Sequence, residues 1–276
     1  MKKICAIVTA LLLISLYGCS GTKEVDISKY IEVTTSGYQD YGKISTRLNS
    51  EIFNDKEIFG DGKLDYRNLD SYNIKIIADK EKNLKNDDVV NISLEYDEDF
   101  YKKDLKVKLV NKDKKEYKVS GLIKAFMNQS DLTNEDYKKF KNESYDKVKR
   151  YIDSTNKKGV TYGDIEFIDA FIKNPINKIE NDEFKVPSLV YLYRVNKHVD
   201  YGFSMTKDNI NYIFIDVNGI ELDKDNKLSN YIIPNLSEYD PTHIKSYEAD
   251  QLPDLETIKA DYMNTNDLLE KINISE

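Results

Sequence analysis

Cysteine is nearly absent from this chain of 276 residues: it occurs only as Cys5 and Cys19. Both lie in the first nineteen positions, so the rest of the chain can build neither a disulfide framework nor a thiolate metal site. Histidine is as scarce, with only His198 and His243, in the contexts NKHVD and PTHIK. Two isolated imidazoles without thiols do not make a zinc centre; both read as solvated histidines in a turn and a loop. Tryptophan is missing, and arginine is limited to Arg47, Arg67, Arg150 and Arg194. The net charge is −8. An acidic chain with no Lys/Arg block lacks the phosphate-neutralising surface that nucleic-acid affinity requires, so no nucleic-acid partner is expected. The apolar run at residues 4–17, broken only by Thr9 and Ser15, is fourteen residues long. A spanning helix needs about 20.

That run is nevertheless informative. It follows Met1-Lys2-Lys3, a short positive start, and ends Leu16-Tyr17-Gly18-Cys19. Charged start, short apolar stretch and small terminal residue are the parts of a secretory signal. The last four residues resemble a bacterial lipobox: aliphatic, variable, small, cysteine. The resemblance implies that residues 1–18 are a lipoprotein signal peptide and that Cys19 carries a diacylglyceryl group as the first mature residue. The competing reading is an apolar helix that happens to contain a cysteine. With Lys2 and Lys3 removed the charge becomes −10. An anionic membrane would repel such a chain, so the lipid must hold it. Ser20 is not the aspartate that would suggest retention at an inner membrane. The Lys-, Asn- and Ile-rich composition points to a Gram-positive source. Residues 19–24 then form a short lipidated tether on the extracytoplasmic face of the cell membrane.

About 258 residues remain, enough for one or two domains. Residues 25–122 alternate with period two: Ile31, Val33 and Thr35; Ile74 and Ile76; Val90, Ile92, Leu94 and Tyr96; Leu105, Val107 and Leu109; Tyr117 and Val119. Turn residues separate them at Ser36-Gly37, Gly60-Asp61-Gly62, Asn86-Asp87-Asp88 and Asn111-Lys112-Asp113. Short strands punctuated this way predict an antiparallel, Ig-like β-sandwich.

Four stretches of this region occur in order, VDISKYIEV, SGYQDYG, LKNDDVV and YKVSGL. They resemble a β domain of uncharacterised Firmicute lipoproteins that is shared with zinc-ribbon-bearing membrane proteins. The likeness covers residues 25–122. It implies a cell-surface β domain and carries no functional residue over. Asp40 and Asp87 stand where that family has glycine, so the two turns are expected to differ in φ. The zinc-ribbon cysteines have no counterpart here.

Residues 123–276 read as a small α+β domain, with cystatin-like as the nearest named arrangement. Thr133 and Asp136 are spaced as a capping box. Tyr137, Phe140, Tyr145, Val148, Tyr151 and Ile152 recur at helical spacing, predicting a helix to about Thr155. Strands are expected at 164–173, 187–196 and 209–217, with a tight turn at Asn218-Gly219. Residues 223–252 show no period. A last helix is expected from Pro253, with Leu255, Ile258 and Tyr262 on one face.

No segment supplies a recognisable reaction centre. The turns at 59–65 and 223–227 miss the calcium-loop spacing. Glu166 and Asp169, three apart on a strand, are expected on opposite faces, which excludes a carboxylate dyad. Gly60 and Gly62 lack the residues of a phosphate loop. The aromatic content is the more suggestive signal, with 21 tyrosines. Tyr191 and Tyr193 share one strand face, and Tyr212 and Phe214 another. Tyrosine joins large contact area to a polar tip, which suits carbohydrate or protein recognition; the same residues equally suit a core against the helix. The expectation is a non-catalytic binding or scaffold lipoprotein. It needs no cofactor and no metal. Its candidate ligand residues are Tyr191, Tyr193 and Tyr212, on a sheet face left open opposite the helix. Its partners would be the membrane, through the lipid, and a cell-wall component or membrane protein. A solute-binding or sensor subunit is the alternative, and an envelope enzyme the third reading.

Overall fold

The computed structural model describes residues 22–49, 74–103, 105–113, 115–180, 183–237, 240–263, 267–272 and 274. The apolar run, Leu16, Tyr17, Gly18 and Cys19, and the turn at 59–65 lie outside the described residues. The chain has a mixed, mostly β, α+β architecture of open antiparallel sheets with few helices. It divides into two compact units. One comprises the chain up to Ser36 together with Asp40–Leu122; the other comprises Gly37–Gln39 and Ile123–Glu276.

In the first unit β1 (Lys23–Asp26) pairs in parallel with β6 (Val107–Val110). β2 (Ile31–Ser36) pairs with β3 (Lys43–Leu48), and β5 (Val89–Glu95) lies between β4 (Lys75–Ala78) and β7 (Lys115–Lys118), all antiparallel. A short helix, α1 (Glu98–Lys103), buries Tyr101. The alternation in β5 works as read: Val90, Ile92 and Leu94 are buried and Val89 and Asn91 exposed. They join Ile27, Leu84, Val107 and Leu109 in one core. The strand read from Leu105 starts later, because Lys106 has φ 55 and breaks the extended backbone.

The quoted motifs do identifiable jobs in this unit. Asp26 caps a one-turn 3-10 helix, accepting from the Ser28 amide at 3.1 Å and the Ser28 hydroxyl at 2.6 Å. Asn86 pairs with the Leu122 backbone in both directions, donating to its carbonyl at 2.9 Å and accepting from its amide at 3.0 Å. Asp40 and Asp87 have φ 68 and 72. Both take the left-handed backbone that favours glycine, and Asp is one of the few side chains that tolerates it.

The second unit is built on one sheet whose strands, in spatial order, are β14 (Leu228–Ile232), β13 (Met205–Leu222), β12 (Ser188–Gly202), β9 (Val160–Pro175) and β16 (Asp267–Lys271). β15 (Ile244–Glu248) and β8 (Lys124–Ala125) also pair with β13, while β10 (Ile179–Glu180) and β11 (Glu183–Phe184) form a small hairpin. The long helix α2 (Asn134–Thr155) begins at the expected capping box: Asp136 accepts from the Thr133 amide at 2.9 Å, and the Thr133 hydroxyl accepts from the Asp136 amide at 3.2 Å. It covers one sheet face, packing Tyr137, Phe140, Val148 and Tyr151 on Tyr191, Tyr193, Ile213 and Ile215.

The opposite sheet face is covered in its central stretch. The second helix, α3 (Leu255–Tyr262), capped by Asp254, packs Ile258 and Tyr262 over Phe171, Val190, Leu192 and Phe214. The strands also differ from expectation in length. β13 runs through Asn218-Gly219, where the pairing slips, and the turn that follows it falls instead at Asp223–Lys227. The region 223–252, read as aperiodic, contributes β14 and β15.

Candidate functional site

The sequence-based ligand residues are core residues. Tyr191 and Tyr193 are fully buried and Tyr212 is 8% exposed. The Tyr191 hydroxyl donates to the Tyr137 carbonyl at 3.0 Å and that of Tyr193 to the Lys141 carbonyl at 2.7 Å. Tyr212 lies on the other face, edge-on to Tyr247 with ring centroids 6.1 Å apart. None of the three presents a surface to a ligand. Two covered faces leave these strands no exposed side in their central stretch.

The carboxylates behave differently from the simple strand count. Leu192 is opposite Asp169, but Tyr193 is opposite Phe167, so β9 bulges at Ile168. The extra residue places Glu166 and Asp169 on one face after all. Each is already occupied: Asp169 accepts from the Ala170 amide at 3.0 Å and pairs with Lys271 at 2.8 Å, and Glu166 faces Arg194 at 3.8 Å. In the turn after β13, Asp223 accepts from the amides of Asp225 and Lys227 at 2.8 and 2.9 Å. Its carboxylate holds the turn.

A polar cluster that no local motif signals is centred on Asp216, a buried carboxylate on the α3 side of β13. Lys173 of β9 donates to both of its oxygens at 3.1 Å. The Tyr262 hydroxyl, at the end of α3, donates to Oδ1. His243 Nε2 approaches Oδ2 at 3.2 Å, while His243 Nδ1 lies 3.0 Å from each oxygen of Asp240. Only an imidazolium donates at both nitrogens. The cluster thus balances two carboxylates against two cations. Burial pushes the Asp216 carboxyl up, but the His243 hydrogen bond, the Lys173 charge and the Tyr262 hydrogen bond outweigh it and hold it below the usual carboxylate range. The Asp216 hydrogen bond raises His243 above its ordinary value against the effect of burial, and Asp240 adds to the rise. Burial, followed by the Asp216 charge, pushes the Tyr262 phenol up. The Tyr262 ring stacks on Phe214 at 4.1 Å. His243 is therefore no solvated loop residue. It has no ring nitrogen left to act as a general base, and the cluster clips α3 and the β15 loop to the sheet.

The open feature lies farther along the same face. Beyond Leu192, alternation carries Arg194, Asn196 and His198 to the α3 side, opposite Tyr212, Ile210 and Asp208 of β13. α3 stops short of them. The groove there measures about 550 Å³ and is lined by Arg194, Asn196, His198, Asp208 and Ile210 with Thr161, Gly163 and Ala249. Gly163 and Asp164 together oppose Asn196, a second bulge, and the missing side chain at Gly163 opens the floor. His198 belongs to the strand and not to a turn; its Nδ1 lies 2.6 Å from Asp208 Oδ1. The groove combines a guanidinium, an amide, an imidazole–carboxylate pair and an apolar patch from Ile210 and Ala249. That mixture can bind a polar ligand by hydrogen bonding. A second depression continues toward the β12–β13 tip and shares Asp208 and Ala249.

Among the described residues no three His, Cys, Asp or Glu side chains converge as a metal site. None of the described helices is long and apolar enough to cross a membrane. No family model, curated protein or solved structure matches the chain.

Proposed function

We propose that this protein is a lipid-anchored extracytoplasmic binding module of the cell envelope, which recognises its ligand through the groove of Arg194, Asn196, His198 and Asp208 and carries out no chemistry. The observation that carries the reading is this groove: an open, polar concavity on the α3-side face beyond the reach of α3. The Leu16-Tyr17-Gly18-Cys19 run supports the anchor, and the full engagement of His243 argues against an acid–base centre.

On the same reading the first unit is an Ig-like domain of the Firmicute lipoprotein type. Two separately paired antiparallel sets around one core support a sandwich, and glycine-like φ at Asp40 and Asp87 supports the family turns. The second unit is cystatin-like in its long helix on an antiparallel sheet and departs from that arrangement in carrying α3 on the other face.

The test is co-sedimentation of the full chain with purified cell-wall sacculi, alongside cross-linking in the anchored state. Arg194→Ala with Asn196→Ala should reduce capture at least tenfold without moving the melting temperature. Undiminished capture by a folded double variant removes the groove from the proposal.

A further inference from the structure

The end of the β12–β13 ribbon combines backbone strain with exposed apolar surface. Gly202 pairs with Met205, so the loop is Phe203-Ser204. Gly202, Phe203 and Ser204 have φ 79, 53 and 62. A two-residue turn with both φ values positive is the kind that ordinarily takes Asn-Gly. A bulky residue there is an outlier. Phe203 is nonetheless 99% exposed, with Tyr201 and Met205 beside it at 61% and 59%.

The geometry points to a lipid-contacting wedge: Tyr201, Phe203 and Met205 enter the headgroup zone of a bilayer. This rests on the lipid-anchored reading above, and three observations select lipid. The first is area. Three such side chains offer roughly 400 Å² together, taking about 200 Å² for a large side chain, whereas a stable protein interface needs about 800 Å² a side. A bilayer sets no such threshold, because each apolar group partitions on its own account. The second is charge. Residues 201–206 have none. The neighbouring charges are engaged: Asp200 accepts from the Gly202 amide at 2.8 Å, Lys207 pairs with Glu248 at 2.6 Å, and Asp208 pairs with His198. The third is tethering. Any part of a lipid-anchored chain meets lipid at high local concentration. Tyr and Phe are also the side chains suited to the membrane–water boundary. A seated tip would place the adjoining groove at the membrane surface, which restricts its ligand to molecules found there.

The test uses the full chain with Cys5→Ala and Cys19→Ala, so that a cysteine introduced at Ser204→Cys takes an environment-sensitive fluorophore alone. Protein-free vesicles of phosphatidylcholine, with and without phosphatidylglycerol, are added. A blue shift at 204 that is absent at a Lys224→Cys control, and is lost when Phe203→Ser is added, is the expected result. No shift at 204 on either vesicle overturns the proposal, as does an equal shift at both sites. A shift produced by envelope proteins but not by protein-free vesicles assigns the tip to a protein pocket and overturns it too. Acylation is not needed in this assay, so failure here is distinguishable from failure of Cys19 to take up lipid.

Discussion

The Tyr193 hydroxyl donates to the main-chain carbonyl of Lys141 across 2.7 Å, and Tyr191 makes the same bond one helical turn earlier, at Tyr137. These bonds explain why the strand presents tyrosine to the helix. Removing only the hydroxyl with Tyr193→Phe should cost about 1 kcal/mol, whereas Tyr193→Ala should cost roughly 3–5 kcal/mol as a large core truncation. Urea unfolding of both variants checks this. Equal losses would mean that the ring contributes little and the hydrogen bond dominates.

The His243 clip makes the second unit sensitive to pH in both directions. His243 is raised in the folded chain, chiefly by its bond to Asp216 and against burial. Its contribution is complete below about 6.5, the ordinary histidine value, and is lost as pH rises through the higher folded value. Asp216 is held low, because its hydrogen bonds and the Lys173 charge outweigh burial. Its contribution is present above about 3.9 and is lost as pH falls through the lower folded value. Thermal melts should therefore show the second unit weakening as pH rises past neutrality, and His243→Gln should flatten that limb. A wild-type melting temperature that stays level there would count against an imidazolium.

Gly42 in the first unit has no room for a side chain. A Cβ would lie 2.4 Å from Leu122 Cδ1 and 2.9 Å from the Leu84 carbonyl oxygen. The leucine can turn aside. The carbonyl cannot, since Gly42 and Leu84 exchange two backbone hydrogen bonds of 3.0 Å. Gly42→Ala should destabilise the first unit by about 1–3 kcal/mol, in the range of overpacked sites. Calorimetry would register this as one transition moving while the other stays.

Cys19→Ala should abolish incorporation of labelled palmitate and stop cleavage before residue 19. Normal labelling of that variant would end the lipoprotein reading.

Local rules made much of the fold legible. The α2 capping box, the α3 positions Ile258 and Tyr262, and the in–out alternation of Val90, Ile92 and Leu94 depend on neighbours within a few residues. The run Leu189-Val190-Tyr191-Leu192-Tyr193 also held a signal that alternation alone missed. A strand apolar on both sides is covered on both sides, and that is why Tyr191, Tyr193 and Tyr212 are interior. The β12–β13 reversal was illegible because bulky Phe203 stands at a positive-φ turn position that ordinarily takes Asn or Gly, whereas Asn218-Gly219 has that chemistry and lies within a strand.

Strand and helix periods, caps, acidic charge and the lipobox-like run can be read from the residues alone, because each is a property of neighbours in the chain. Tertiary structure alone decided the sites. A bulge at Ile168 turned Glu166 and Asp169 to one face, since a single extra residue inverts a period of two. Pairing of β15 with β13 brought His243 to Asp216 across 27 positions. The length of α3 left Arg194, Asn196 and His198 uncovered. Register and coverage are set by long-range packing, which no window of neighbouring residues contains.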